Sequence, residues 1–164
     1  MHRITQWGEY GVHVVLYLAR KSREGSLADF SAVVGASEIS EAQNIALNYT
    51  QQILLRLKTF EIVESVRGPK GGYRLAKHPK DISIQDILVA TEGDTATVIC
   101  ESHKIEHENC LSGANCSIKG VWYGLKDVIN TYLSGITISD LLDKENNESK
   151  EDVLVNLPVH QSLS

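Results

Sequence analysis

Three cysteines, Cys100, Cys110 and Cys116, fall within 17 residues of a 164-residue chain. An odd number packed this closely makes a poor disulfide framework. With no export signal at Met1–Glu9, the group reads as a metal, cluster or redox site. His103 and His107 lie in the same stretch and, with Cys110 and Cys116, offer a four-ligand zinc alternative. A further pair, Glu9 and His13, is spaced so that both share one face of any helix containing them. On residue types alone such a pair is most often a surface pair.

A second kind of chemistry sits at Arg67-Gly68-Pro69-Lys70-Gly71-Gly72. Glycines let a backbone approach phosphates closely, and Arg67 and Lys70 supply positive charge at the tip. The run lacks the pattern of a nucleotide-binding loop. No nucleophile–base pair or carboxylate dyad stands out elsewhere, so an enzyme is the weakest reading.

The charge is distributed unevenly. The whole chain carries −5, which by itself speaks against a nucleic-acid partner. Residues 1–90 hold 11 Lys/Arg against 9 Asp/Glu, and residues 91–164 hold 5 against 12. The window Arg56–Lys80 contains seven basic residues against Glu61 and Glu64. Nucleic acid responds to such a local patch more than to the sum. No apolar run approaches the roughly 18 residues a bilayer span needs, and a soluble, cytoplasmic protein without a membrane partner is expected.

The elements that must position these groups follow from periodicity. Gly8 to about Lys21 reads as a helix with Val12, Val15, Leu16 and Ala19 inward. Ser26-Leu27-Ala28-Asp29 is consistent with a short helix opening, and Ala36–Gln43 with another. Asn48 with Gln51 three residues later predicts a capped start to the next helix, whose inner face is Ile53, Leu54 and Leu57. Its polar face offers Thr50, Gln51, Gln52, Arg56 and Lys58, and Asn48, Tyr49, Gln51, Gln52 and Arg56 are the candidate contacts to base edges or phosphates. Glu61–Arg67 alternates as a strand, Gly68–Gly72 is a turn, and Tyr73–Leu75 returns as a strand. A polar, basic second helix followed by a glycine-tipped hairpin predicts a winged helix-turn-helix.

Ser83 is placed to cap a helix with Ile84, Ile87 and Leu88 inward. Ile118, Val121, Trp122, Leu125, Val128, Ile129 and Tyr132 form a long stripe at helical spacing. That stripe is too rich for so small a domain, and a second subunit is expected against it. Trp7 and Trp122 read as packing residues, with shielding of a bound metal group as the alternative for Trp7.

The resulting fold class is mainly α with a small β wing, a DNA-binding domain plus a long dimerisation helix. Its expected divisions are 1–90 for the DNA-binding domain, 91–116 for a ligand loop, 117–142 for the dimerisation helix and a return segment, and 143–164 for an acidic, disordered tail.

Ser65-Val66-Arg67-Gly68-Pro69-Lys70-Gly71-Gly72-Tyr73-Arg74-Leu75, Ile82-Ser83-Ile84-Gln85-Asp86-Ile87 and Ile136-Thr137-Ile138-Ser139-Asp140-Leu141, together with the clustered cysteines, resemble the IscR/NsrR/RsrR family of transcription regulators. The resemblance covers about residues 3–142. It implies a homodimer on a double-stranded DNA operator and an iron–sulfur cluster whose state controls DNA binding, 2Fe–2S first and 4Fe–4S as the alternative. The cysteine spacing is wider than in the IscR type, and Lys119 stands where that type has a histidine. The ligand set of the RsrR branch fits better, with a Glu-x3-His pair from one subunit and two cysteines from the other. By that resemblance the ligands are Glu9, His13, Cys110 and Cys116, with Cys100 as a further candidate. A cluster-free regulator working through thiols or a partner, and a zinc-stabilised DNA-binding module, are the competing readings.

Overall fold

The computed structural model describes residues 5–25, 32–93 and 118–147. The three cysteines, His103, His107, the Ser26–Asp29 segment and residues 148–164 lie outside the described residues.

Six helices and one hairpin make up the described chain: α1 (Gln6–Gly25), α2 (Ala36–Gln43), α3 (Leu47–Thr59), β1 (Val63–Val66), β2 (Gly72–Leu75), α4 (Ile84–Glu92), α5 (Lys119–Ser134) and α6 (Ile138–Asn147). A single 3-10 turn, Pro79–Asp81, leads from the hairpin to α4. Helix α1 is central and packs against α2, α3, α4 and α6. That position explains why its buried set is wider than a one-sided stripe predicts. Val14, Val15, Leu18 and Ala19 are fully buried, while Val12 is only half-buried. Ile53, Leu54 and Leu57 of α3 and Ile87 and Leu88 of α4 complete the core from the other sides.

Helix α1 meets α4 at two glycines. A β-carbon on Gly8 would fall on Glu92 Oε1 and within 2.6 Å of Leu88 Cδ2. One on Gly11 would stand 2.6 Å from Thr91 Cγ2. Glycine inside a helix costs about 0.5–1 kcal/mol relative to alanine, and here that cost permits close helix approach.

Helix α3 begins one residue before Asn48, with Ala46 as its N-cap and no side-chain cap. The Asn48–Gln51 capping box predicted from sequence does not form. Asn44 ends α2 in the left-handed region at φ 52. Ile45, 4% exposed, is drawn into the core. Ser40 fixes the bend, its Oγ donating to Ile45 O at 2.6 Å while Ser40 O accepts from Ile45 N at 3.0 Å. Burial of Ile45 starts the helix early and leaves Asn48 in its first turn.

Strands β1 and β2 are antiparallel, with Val63 opposite Leu75 and Val66 opposite Gly72. The intervening turn closes through Gly71 N donating to Gly68 O at 2.9 Å, with Gly68 at φ 119. Val34 adds a third strand position, exchanging hydrogen bonds of 2.9 and 2.8 Å with Tyr73. A β-carbon on Gly72 would collide with the Val34 carbonyl, so this glycine allows the preceding chain to lie against the hairpin. With α2 and α3 the hairpin makes a winged helix-turn-helix, as the sequence predicts.

The similar segments Ile82–Asp86 and Ile136–Asp140 pair with each other. Ile84 N donates to Ile136 O, and Ile138 N to Ile82 O, both at 2.9 Å. Each then opens a helix through a capping box. Ser83 Oγ accepts from Asp86 N at 3.1 Å while Asp86 Oδ2 accepts from Ser83 N at 2.9 Å. Thr137 and Asp140 repeat the arrangement at 3.2 and 2.8 Å. The threonine hydrogen bonds hold the Asp140 carboxyl below the usual aspartate range.

Helix α6 runs to Asn147, so the segment expected to be a disordered tail from residue 143 begins as helix. Its acidic residues find basic partners on α1. Arg20 grips Glu145, with Nε donating to Oε2 at 2.8 Å, and Arg23 lies 3.6 Å from Asp143. The hydrogen bonds from Arg20 hold the Glu145 carboxyl low, and the nearby His13 acts in the same direction.

Candidate nucleic-acid interface and metal-ligand helix

The outer face of the helix-turn-helix is polar. Asn48, Gln51 and Gln52 are exposed on the first turns of α3, and Tyr49 is exposed beside them, whereas Thr50, expected on the same face, is fully buried with its hydroxyl donating to Ala46 O. The first backbone N–H groups of α3 have no intrahelical acceptor, and Ala46 supplies no side-chain cap for them. Arg67 and Lys70 are exposed at the wing tip. Arg74 is tied to Glu64 across the hairpin at 2.5 Å, which fixes one wing cation in place. Lys58 donates to Ser65 Oγ at 2.8 Å, joining α3 to the wing.

Arg56, grouped by sequence with the DNA-facing residues, is otherwise engaged. Its Nη1 donates to the Thr91 carbonyl of α4. Its guanidinium stands 4.7 Å from the centre of the Trp7 ring, and Trp7 packs on Tyr49 with ring centres 5.2 Å apart.

Glu9 and His13 lie one turn apart on α1, both exposed. A carboxylate and an imidazole presented together on an open face supply two donors of a mixed metal site. Cys100, Cys110 and Cys116 fall outside the described residues, and among the described residues no group of three or more His, Cys, Asp or Glu is gathered for a metal. The structure thus bears on the α1 half of the ligand set alone, and that half fits the group.

One positioning residue is not evident from the sequence. Glu92 ends α4, where the helix dipole disfavours a carboxylate, yet its Oε1 lies at the N-terminus of α1. It accepts from Thr5 N at 2.7 Å, Thr5 Oγ1 at 2.8 Å and Gly8 N at 2.8 Å. The signal was an acidic side chain at the wrong end of its own helix, which implies another helix's N-terminus nearby. Glu92 also stands two residues before the segment that carries the cysteines.

Helix α5 has no buried residue. Val121, Leu125 and Val128 are 61%, 51% and 65% exposed, and Gln85 meets Asn130 at 3.2 Å where the helix leaves the body. No helix among the described residues is long and apolar enough to cross a membrane.

Comparison with known proteins agrees with this architecture. The Rrf2 family profile, described as iron-dependent transcriptional regulators, matches residues 4–144. The HTH-type transcriptional regulator IscR of Photorhabdus laumondii is 34% identical over 143 residues, 87% of this chain and 80% of that protein. The solved structure of T. potens IscR superposes with a TM-score of 0.67 at 29% identity, covering 93% of both chains. The structure of CymR, the global cysteine regulator of B. subtilis, superposes with a TM-score of 0.66 at 26% identity, covering 88% of this chain and 98% of that one. The relatives are regulators rather than enzymes, and this chain, with its helix-turn-helix and glycine-tipped wing, belongs to the Rrf2 family of DNA-binding transcriptional regulators.

Proposed function

We propose that operator binding by this regulator is controlled by an iron–sulfur cluster, 2Fe–2S, held by Glu9 and His13 of one protomer and Cys110 and Cys116 of its partner, with Cys100 as a further candidate ligand. The observation that carries the reading is the exposed Glu9–His13 pair on α1, beside a helix start that Glu92 ties to the root of the cysteine segment. The family description as iron-dependent supports it. The group supplies a centre whose charge changes with oxidation state. Imidazole in place of thiolate raises the potential of such a centre, and a carboxylate is a harder, more labile ligand.

The rest of the work falls to the chain's own residues. Gln51 and Gln52 face base edges in the major groove, with Asn48 and Tyr49 at the helix start. Arg67 and Lys70 bind backbone phosphates from the wing. The stripe on α5 packs against the same stripe of a second copy, which accounts for a helix with large apolar residues and nothing buried.

Anaerobic purification tests the proposal. A brown protein with iron and sulfide in equal amounts is expected, and Glu9→Ala and His13→Ala should each alter its absorption spectrum. If both variants keep an unaltered cluster, the ligand assignment is wrong. A cluster-free, thiol-responsive regulator is the second reading, favoured by the likeness to a cysteine regulator. It predicts iron-free protein whose DNA affinity changes with thiol oxidation. One zinc per chain and no iron would point instead to the structural zinc module.

A further inference from the structure

Two consecutive residues at the end of α4 hold two different helices. Thr91 offers its carbonyl, one of the acceptors a helix end leaves without an intrahelical partner, to Arg56 of α3. Glu92 turns the other way and caps α1 through Thr5 and Gly8. Trp7, inside that capped turn, lies under the Arg56 guanidinium at 4.7 Å and against Tyr49 at 5.2 Å. Gly93 follows at φ 90, a backbone state that side chains rarely adopt, and the chain then enters 94–117.

We propose that Arg56 is a positioning residue rather than a DNA contact. With Trp7 and the Thr91 carbonyl it forms a latch that sets the orientation of the DNA-reading helix α3 against α1 and the end of α4. The role rests on the proposed function, in which Glu9 and His13 of α1 belong to the sensing end. A shift of the start of α1 would move Trp7, and the Arg56 side chain, held between Trp7 and the Thr91 carbonyl, would carry it to α3.

The latch needs a guanidinium. A planar cation can stack on an indole while donating in its own plane, and a lysine ammonium cannot do both. Arg56 also brings positive charge to the negative end of the α4 dipole. A phosphate contact, in contrast, tolerates lysine.

The test compares Arg56→Lys and Arg56→Met with the parent in two measurements. Fluorotryptophan labelling gives two fluorine resonances, and Trp7→Phe identifies that of Trp7. Both Arg56 variants should shift the Trp7 resonance in the cluster-free protein, which reads the latch without reference to iron. Operator affinity is then measured with and without the cluster over a range of salt. Both variants should shrink the ratio between the two states by about fivefold or more, with an unchanged slope of affinity on salt and an unchanged cluster spectrum. The proposal is overturned if the Trp7 resonance does not move or if the ratio is kept. It is equally overturned if Arg56→Lys restores parental behaviour while Arg56→Met lowers the salt slope by about 0.9, the pattern of a residue that neutralises one phosphate. A shifted Trp7 resonance, together with anaerobically purified parent protein that carries no iron, would support the latch and sink the cluster reading separately.

Discussion

Gly8→Ala sets two physical effects against each other with opposite signs. Alanine in place of glycine inside a helix stabilises by about 0.5–1 kcal/mol where there is room. Here the new β-carbon would fall on Glu92 Oε1 and lie 2.6 Å from Leu88 Cδ2. Glu92 must then withdraw, and α1 loses the acceptor for Thr5 N, Thr5 Oγ1 and Gly8 N. Loss of a helix cap costs about 1 kcal/mol, and overpacking against Leu88 adds about 1–3 kcal/mol. The net expectation is destabilisation by about 1–3 kcal/mol. Urea unfolding followed by far-ultraviolet circular dichroism, at fixed protomer concentration, reads this as a midpoint lower by about 1 M, for a slope of about 2 kcal/mol per M. Glu92→Gln, which keeps the shape and loses the charge, should fall between parent and Gly8→Ala. A Gly8→Ala protein as stable as the parent, or more so, would refute the close packing of α1 on α4 and the capping role of Glu92.

Other consequences are as direct. Glu145→Gln should cost at most about 1 kcal/mol at pH 7, because the Arg20 pair is 38% exposed on each side. The folded-state pKa of Glu145 is depressed, so its contribution is present above the unfolded value of about 4.3 and is lost as pH falls through the folded value. The gap between parent and variant should therefore narrow as pH falls below the unfolded value, and a gap that widens there contradicts the pairing. Leu125→Asp with Val128→Asp should halve the mass seen in sedimentation equilibrium, and an unchanged mass removes α5 as the dimer surface. Arg67→Ala with Lys70→Ala should weaken binding to all DNA sequences and lower the salt slope by about 0.9 for each phosphate no longer neutralised. A change confined to one base position would assign these residues to sequence reading instead.

What the sequence made legible was local. The wing could be read because alternation, a Gly-Pro step and a double glycine all lie within Glu61–Leu75, and the Ser83 capping box is complete within four residues. What stayed hidden depends on partners distant along the chain. Asp143 and Glu145 look like the start of an acidic tail until Arg23 and Arg20 are brought beside them. Arg56 looks like a free cation on a polar helix face, and only folding brings up the Thr91 carbonyl, 35 residues on. Asn48 carries a correct local cap signal that burial of Ile45 overrides. The ligand pair divides in the same way. That Glu9 and His13 share a face follows from helical spacing alone, whereas nothing local says which cysteines would meet them.

The central claim, a regulator whose grip on DNA follows its cluster, is tested most directly by one titration. Operator DNA is titrated with anaerobically purified protein before and after removal of iron, at a single fixed salt concentration. An affinity difference of at least about fivefold between the two states is predicted, abolished when Cys110 and Cys116 are both replaced by alanine. Equal affinities in protein shown to carry iron and sulfide would contradict the claim.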